Sequence, residues 1–281
     1  MNDREPSPVE ELIACLDLEA LDRDLFLGDP GPGEGRLYGG MVAAQCVIAA
    51  GRTVDSDRPL HSLHAYFLRP GRHDVPIRFV VDRIRDGRSF TTRRVVAHQS
   101  GEAIFNLAAS FARPEPGISH QEPAPAAKPP EACEDWEELR ARALGDPALR
   151  RRSAVELRVP DGGSLDDTTR RAPRQSSWIR MSGPLPDDPL LHTAALVYAT
   201  DRSLLGTAAR PHGLTWGQRI GASLDHAVWI HHPIVMDDRW LLYATESPVA
   251  HAARGMIFGG LFRAGVRVAS VAQEALVRSR R

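Results

Sequence analysis

Apolar residues fall in blocks whose spacing changes along the chain. The segment Tyr38-Gly39-Gly40-Met41-Val42-Ala43-Ala44-Gln45-Cys46-Val47-Ile48-Ala49-Ala50 is apolar nearly all round, which predicts a buried helix. Before it, residues 8–28 read as a short amphipathic helix and a strand around 22–27, followed by the glycine-rich loop Gly31-Pro32-Gly33-Glu34-Gly35. After it, residues 62–69, 75–83, 89–98 and 103–111 read as strands, separated by Pro70-Gly71, Asp86-Gly87 and Ser100-Gly101, which are good hairpin punctuation. The first part of the chain therefore predicts a strand, a buried helix and an antiparallel meander.

Prolines 114, 116, 123, 125, 129 and 130 then crowd a stretch without apolar periodicity, the pattern of a linker, and the charged residues 132–152 have room for one short helix. The same order then returns: strand signals at 155–159 and 177–181, a mainly apolar helix at 190–205, and strands at 224–230, 240–245, 254–262 and 266–277. Residues repeat as well. His64-Ala65-Tyr66-Phe67-Leu68 lies over His226-Ala227-Val228-Trp229-Ile230, and at nearly the same spacing Gly101 lies over Gly265, which sets Ala109 opposite Gln273. Two matches inside one element order predict a duplicated domain: a first unit at 10–113, a linker with a short helix at 114–149, and a second unit at 150–281. Joining their sheets edge to edge would hide two open edges.

Composition adds mainly exclusions. In 281 residues, 42% apolar and 25% charged, the formal net charge is -1, so no overall positive field points to nucleic acid. No apolar run approaches the ~20 residues of a membrane span, and the charged opening Met1-Asn2-Asp3-Arg4-Glu5 leads into no signal-peptide core. Cys15, Cys46 and Cys133 are far apart and match no zinc spacing, so reduced thiols and a cytoplasmic location are expected. His226, His231 and His232 stand near Asp225 without converging ligand spacing; no metal and no cofactor are expected.

The segments Leu37-Tyr38-Gly39-Gly40, Ser62-Leu63-His64-Ala65-Tyr66-Phe67-Leu68-Arg69-Pro70-Gly71, Leu224-Asp225-His226-Ala227-Val228-Trp229 and Val271-Ala272-Gln273-Glu274 resemble the acyl-CoA thioesterase II family of bacteria and peroxisomes, over nearly the whole chain. The resemblance implies an α+β double hotdog, with two antiparallel sheets each wrapped around a long central helix. It implies an acyl-CoA substrate and, as partners, further copies of the chain in a dimer or tetramer of double hotdogs, with no nucleic acid and no membrane. It also implies a catalytic aspartate on the second helix, a hydroxyl before the Asp-His of the next strand and a glutamine on the last strand. Those positions hold Asp201, Ser223 and Gln273, with serine where many relatives carry threonine.

These groups suit thioester hydrolysis. A carboxylate can take a proton from water, and a hydroxyl and an amide can each donate and accept hydrogen bonds to hold that water. No Gly-x-Ser-x-Gly elbow supports a serine nucleophile. Gly39 and Gly40, opening the first helix, can let a substrate carbonyl approach backbone N–H groups, and His64 either lines the channel or is a structural histidine. Taken singly, Asp201 is as easily a helix cap and Ser223 a strand-edge serine; a carboxylate beside an apolar helix and an amide among small apolar residues need a reason. The first helix lacks Asp and Glu over 39–54 and Ala109 stands opposite Gln273, so a single site in the second half is expected. The arginines within 83–94 and 278–281 either meet CoA phosphates or form solvated faces. Two rivals share the fold: an enoyl-CoA hydratase, which needs a histidine a few residues after the aspartate where this chain offers none before His212, and a non-catalytic acyl-CoA binder.

Overall fold

The computed structural model describes residues 4–160, 168–215 and 217–280. The first half runs α1 (Pro8–Leu16), β1 (Glu19–Asp22), β2 (Leu25–Gly28), α2 (Gly39–Gly51), β3 (Leu60–Phe67), β4 (Ile77–Asp86), β5 (Phe90–Gln99) and β6 (Glu102–Ala112). The connection contains β7 (Glu134–Asp135) and α3 (Trp136–Ala143). The second half runs β8 (Val155–Val159), β9 (Arg174–Met181), α4 (Pro189–Thr200), α5 (Leu204–Ala209), β10 (Arg219–Ser223), β11 (Asp225–Ile230), β12 (Leu241–His251), β13 (Arg254–Arg263) and β14 (Val266–Ser279).

The strands form one 14-stranded sheet in the order β1-β2-β4-β5-β6-β3-β11-β14-β13-β12-β9-β8-β7, with β10 also on β14. The halves meet edge to edge where β3 pairs antiparallel with β11, Ala65 opposite His226. Each half wraps one central helix. Ala44, Cys46, Val47, Ala49 and Ala50 of α2, and Ala194 through Val197 of α4, are at or near zero exposure, as a helix apolar on every side must be to pack in a core.

The two helices also pack on each other, antiparallel and close. A Cβ at Gly51 would lie 2.3 Å from Leu190 Cδ1, and one at Gly40 would lie 2.7 Å from the Tyr198 carbonyl oxygen. Small residues at the crossing permit that approach. Gly40→Ala is therefore expected to lower the melting temperature by several degrees, since overpacking costs ~1–3 kcal/mol; an unchanged thermal melt would contradict the tight crossing.

The repeat is visible in backbone detail. The β5–β6 and β13–β14 hairpins both turn through two residues at positive φ, Ser100-Gly101 and Ala264-Gly265, and both ladders shift register shortly after the turn. That alignment puts Arg93↔Ala109 over Ile257↔Gln273. The match of His64 with His226 does not carry over into faces. His226 is fully buried against the helices, whereas the inward residues of β3 are Leu63 and Ala65 and His64 is exposed. A slip of one residue reverses every side chain of a strand.

Two further expectations change. The second helix, predicted over 190–205, stops at Thr200, and a separate α5 follows. The stretch predicted as linker pairs β7 onto β8 and buries Leu139 and Ala141 of α3, so its C-terminal part belongs to the packed structure.

Candidate functional site

Asp201 is the C-cap of α4. Ending the helix there lets the carboxylate leave the helical path and turn toward the first turn of α2. The Gly40 backbone N–H favours its anion, and a Cβ at Gly39 would lie only 3.0 Å from Asp201 Oδ2. The positive end of α2 thus faces the carboxylate.

Ser223 reaches the same place because the strand carrying it is irregular. Ser223 pairs with Ala275 and Ala227 with Ala272, so β10 and β11 use one more residue than β14 over that span. The Leu224 N–H bonds to the Glu274 carbonyl, and the Leu224 carbonyl accepts from the Phe67 N–H of the other half. Such a bulge re-aims side chains. In a regular strand Ser223 and His226 would face opposite ways; here both touch Gln273.

The result is a buried row of polar side chains. Ser223 Oγ lies 3.2 Å from Asp201 Oδ1. Gln273 Nε2 donates to Ser223 Oγ at 2.9 Å, and Gln273 Oε1 lies 2.7 Å from His226 Nδ1. His226 Nε2 lies 2.9 Å from Thr200 Oγ1, whose carbonyl accepts from the buried Tyr243 hydroxyl at 2.9 Å. Gln273, His226 and Thr200 are 1%, 0% and 0% exposed, so none can exchange its partner for bulk water.

Burial sets the charges. It pushes the Asp201 carboxyl up to about 7, against the Ser223 hydroxyl and Gly40 N–H bonds that favour the anion. Burial also holds His226 down to about 4, only partly offset by Gln273. A neutral imidazole carries one N–H. With Gln273 Oε1 as acceptor that proton sits on Nδ1; the Thr200 hydroxyl, beside Nε2, also donates to the Val197 carbonyl at 2.8 Å. From His226 onward every donor then points one way: His226 to Gln273, Gln273 to Ser223, Ser223 to Asp201.

Asp201 stands where two cavities meet. One, about 810 Å³, is lined by Arg36, Tyr38, Glu137, Arg202, Arg219 and other residues. The other, about 350 Å³, is lined by Leu37, Gly39, Val42, Phe67, Leu68, Ile104, Phe105, Ser223 and Leu224 among others. Asp201, Arg36 and Gly221 line both.

Of the residues selected from the sequence, Asp201, Ser223, Gln273, Gly39 and Gly40 come together. His64 does not. It lies on the outer face of β3, edge-on to the Trp229 ring at 5.1 Å, because strand alternation sends it away from the helices. Gln273 lines neither cavity; it sits behind Ser223. His226 and Thr200 were not selected. A histidine in an apolar strand gives no sign of its partner, and only the bulge brings it onto Gln273. Among the described residues no group of three or more His, Cys, Asp or Glu could hold a metal, and no helix is long and apolar enough to cross a membrane.

A pair of central helices enclosed by one shared antiparallel sheet, with a polar site at their crossing, defines a double-hotdog protein. A crystal structure of a hot-dog-fold protein from Alicyclobacillus acidocaldarius matches with a TM-score of 0.78, 18% identity, and 96% of this chain and 98% of that one covered. The sequence model for acyl-CoA thioesterase matches residues 163–276, and that for the acyl-CoA thioesterase N-terminal domain matches residues 28–112. Acyl-coenzyme A thioesterase 8 of Mus musculus is 38% identical over 95% of this chain and 88% of its own length. The crystal structure of acyl-CoA thioesterase II TesB2 from Mycobacterium marinum is 39% identical, with a TM-score of 0.79 over 96% of this chain and 97% of that one. The chain belongs to the acyl-CoA thioesterase II family.

Proposed function

We propose that this chain hydrolyses acyl-CoA thioesters to the free acid and coenzyme A, with Asp201 as general base for the attacking water. The observation that carries this reading is a carboxylate at a cavity junction whose proton affinity is lifted to about 7, near the value at which a general base works at neutral pH. Asp201 Oδ1 is engaged by Ser223, so the water is placed on Oδ2. The water adds to the thioester carbonyl as its proton passes to Asp201. The tetrahedral intermediate then expels the CoA thiolate, which takes that proton back. The Gly39 N–H, at the first helical position and without an intrahelical acceptor, receives the oxyanion. Ser223 fixes the rotamer of Asp201. Gln273 and His226 are positioning residues that fix the direction of the Ser223 hydroxyl.

The test is a panel of saturated acyl-CoAs and enoyl-CoAs, followed for thiol release and for hydration, with ¹⁸O-water in single-turnover experiments. Thiol release with one ¹⁸O entering the acid supports direct water attack. Hydration of enoyl-CoAs, or binding without turnover, would replace this reading by one of its rivals. His226 is tied at both nitrogens, so it is not available as a second acid.

The pH dependence follows from the same carboxyl. The active form is the anion, so kcat should rise with pH through about 7 and level off above it, with no falling limb from His226, which stays neutral above about 4. A profile flat from pH 5 to 8 would exclude Asp201 as the base. Ser223→Thr keeps the hydroxyl and is expected to retain activity within a few-fold.

A further inference from the structure

We propose that the two cavities at Asp201 divide the substrate, with the phosphates of coenzyme A held by arginines of the larger cavity that pair with no carboxylate among the described residues, and the acyl chain lying against the apolar side chains of the smaller one. This rests on the thioesterase reading and fixes the direction in which the substrate lies.

The chain as a whole carries a formal charge of -1, yet the wall of the larger cavity is rich in arginine. Glu137 there is already shared, with Arg140 at 2.8 Å and Arg202 at 2.9 Å. Arg36, Arg151, Arg219 and Arg280 also line the cavity, and among the described residues no carboxylate pairs with any of them. Arg219 is half-buried, and burial lowers its proton affinity with no anion to offset it. A desolvated guanidinium without a counter-ion is costly in the empty protein. A ligand bringing phosphate oxygens repays that cost through charge-assisted, often bidentate hydrogen bonds.

The arginine-rich β4–β5 hairpin is the contrast. Arg83 pairs with Asp24, Arg94 with Asp82 and Arg93 with Asp86, so three of its charges are spent within the fold, and Arg85 and Arg88 line neither cavity. Of the two arginine stretches noted in the sequence, only the C-terminal one reaches the cavity, through Arg280. The smaller cavity offers Val42, Phe67, Ile104 and Phe105, surfaces for a hydrocarbon tail; of its arginines, Arg36 is shared with the larger cavity and Arg69 is paired with Glu102. With Asp201 and Gly39 at the junction, a substrate laid across both cavities puts its thioester beside the carboxylate.

The experiment compares an acyl-CoA with the acyl-pantetheine thioester of the same acyl group, which lacks the phosphates, in the unmodified chain, Arg219→Gln and Arg36→Gln/Arg219→Gln. A titration with coenzyme A and with adenosine 3′,5′-bisphosphate is run alongside. The double variant should raise KM for acyl-CoA about tenfold, with a much smaller change for acyl-pantetheine. It should weaken bisphosphate binding in parallel and flatten the salt dependence of both. Equal losses on both thioesters, or acyl-CoA kinetics and bisphosphate binding left untouched, would overturn the division. The titration separates the two claims. Bisphosphate binding weakened by the variants in a chain that hydrolyses no thioester keeps this inference and removes the proposed reaction; turnover of acyl-CoA indifferent to both arginines does the reverse.

Discussion

Asp201→Asn is expected to lower kcat about 10²–10⁴-fold, the usual range for loss of a general base, with KM changed only a few-fold. Asparagine keeps the shape and can still accept from Ser223 and Gly40, but it cannot take a proton. The same substitution should stabilise the folded chain at alkaline pH. The Asp201 carboxyl is raised from 3.8 to about 7 on folding, so the native state prefers the protonated form. Stability is fully present below about 3.8 and is lost as pH rises through about 7. Asparagine removes that loss. Its advantage in melting temperature should be small at pH 5 and grow to a few degrees by pH 8.5, ~1–3 kcal/mol after allowing for the partial exposure of the carboxylate. Near-normal turnover by a folded Asp201→Asn chain would end the proposed mechanism. A melting temperature unchanged at both pH values would show that the carboxylate is not strained by burial.

The second large effect is expected at Gln273. Gln273→Ala should lower kcat about 10–100-fold and destabilise the fold by ~1–3 kcal/mol, because it leaves the His226 N–H without its acceptor in a dry interior. The kinetic part has a signature that mere loosening would not give. The Ser223 hydroxyl bond helps keep the Asp201 proton affinity from rising further. With Gln273 gone, nothing fixes that hydroxyl toward the carboxylate, so the rising limb of the kcat–pH profile should move to higher pH. A limb that stays in place while activity falls would make Gln273 a core residue and nothing more. His226→Asn should shift the limb in the same direction by a smaller amount.

These effects also show which parts of the molecule could be read before its coordinates. The buried helices and antiparallel ladders were legible because their signals are local: a run such as Val42–Ala50 has no polar face, and Ser100-Gly101 and Ala264-Gly265 mark their own turns. The meeting of Asp201, Ser223 and Gln273 was expected through resemblance, not periodicity. What escaped depends on contacts distant in sequence. The helix stops at Thr200 with no glycine or proline to announce it. The extra residue between Ser223 and Ala227 is invisible until β14 is laid beside it, and without it His226 seems to face away from the site. His64 failed for the complementary reason. Its sequence match with His226 is real, but the pairing of β3 and β11 does not preserve the face.

The seam between those two strands has a consequence of its own. The strand carrying His226, one step from Ser223, has its outer edge completed by β3, and the Leu224 carbonyl at the bulge is satisfied by Phe67. A free second half would expose that edge and need another subunit to cover it, so its working geometry would depend on protein concentration. Covalent fusion makes the encounter intramolecular, at an effective concentration dilution cannot reduce. The first half need not then carry a matching amide of its own: Ala109 stands opposite Gln273, and the buried Arg93 bonds to Thr53 and Asp86. What it brings is the start of α2 beside Asp201 and a permanent cover for that strand edge in every molecule.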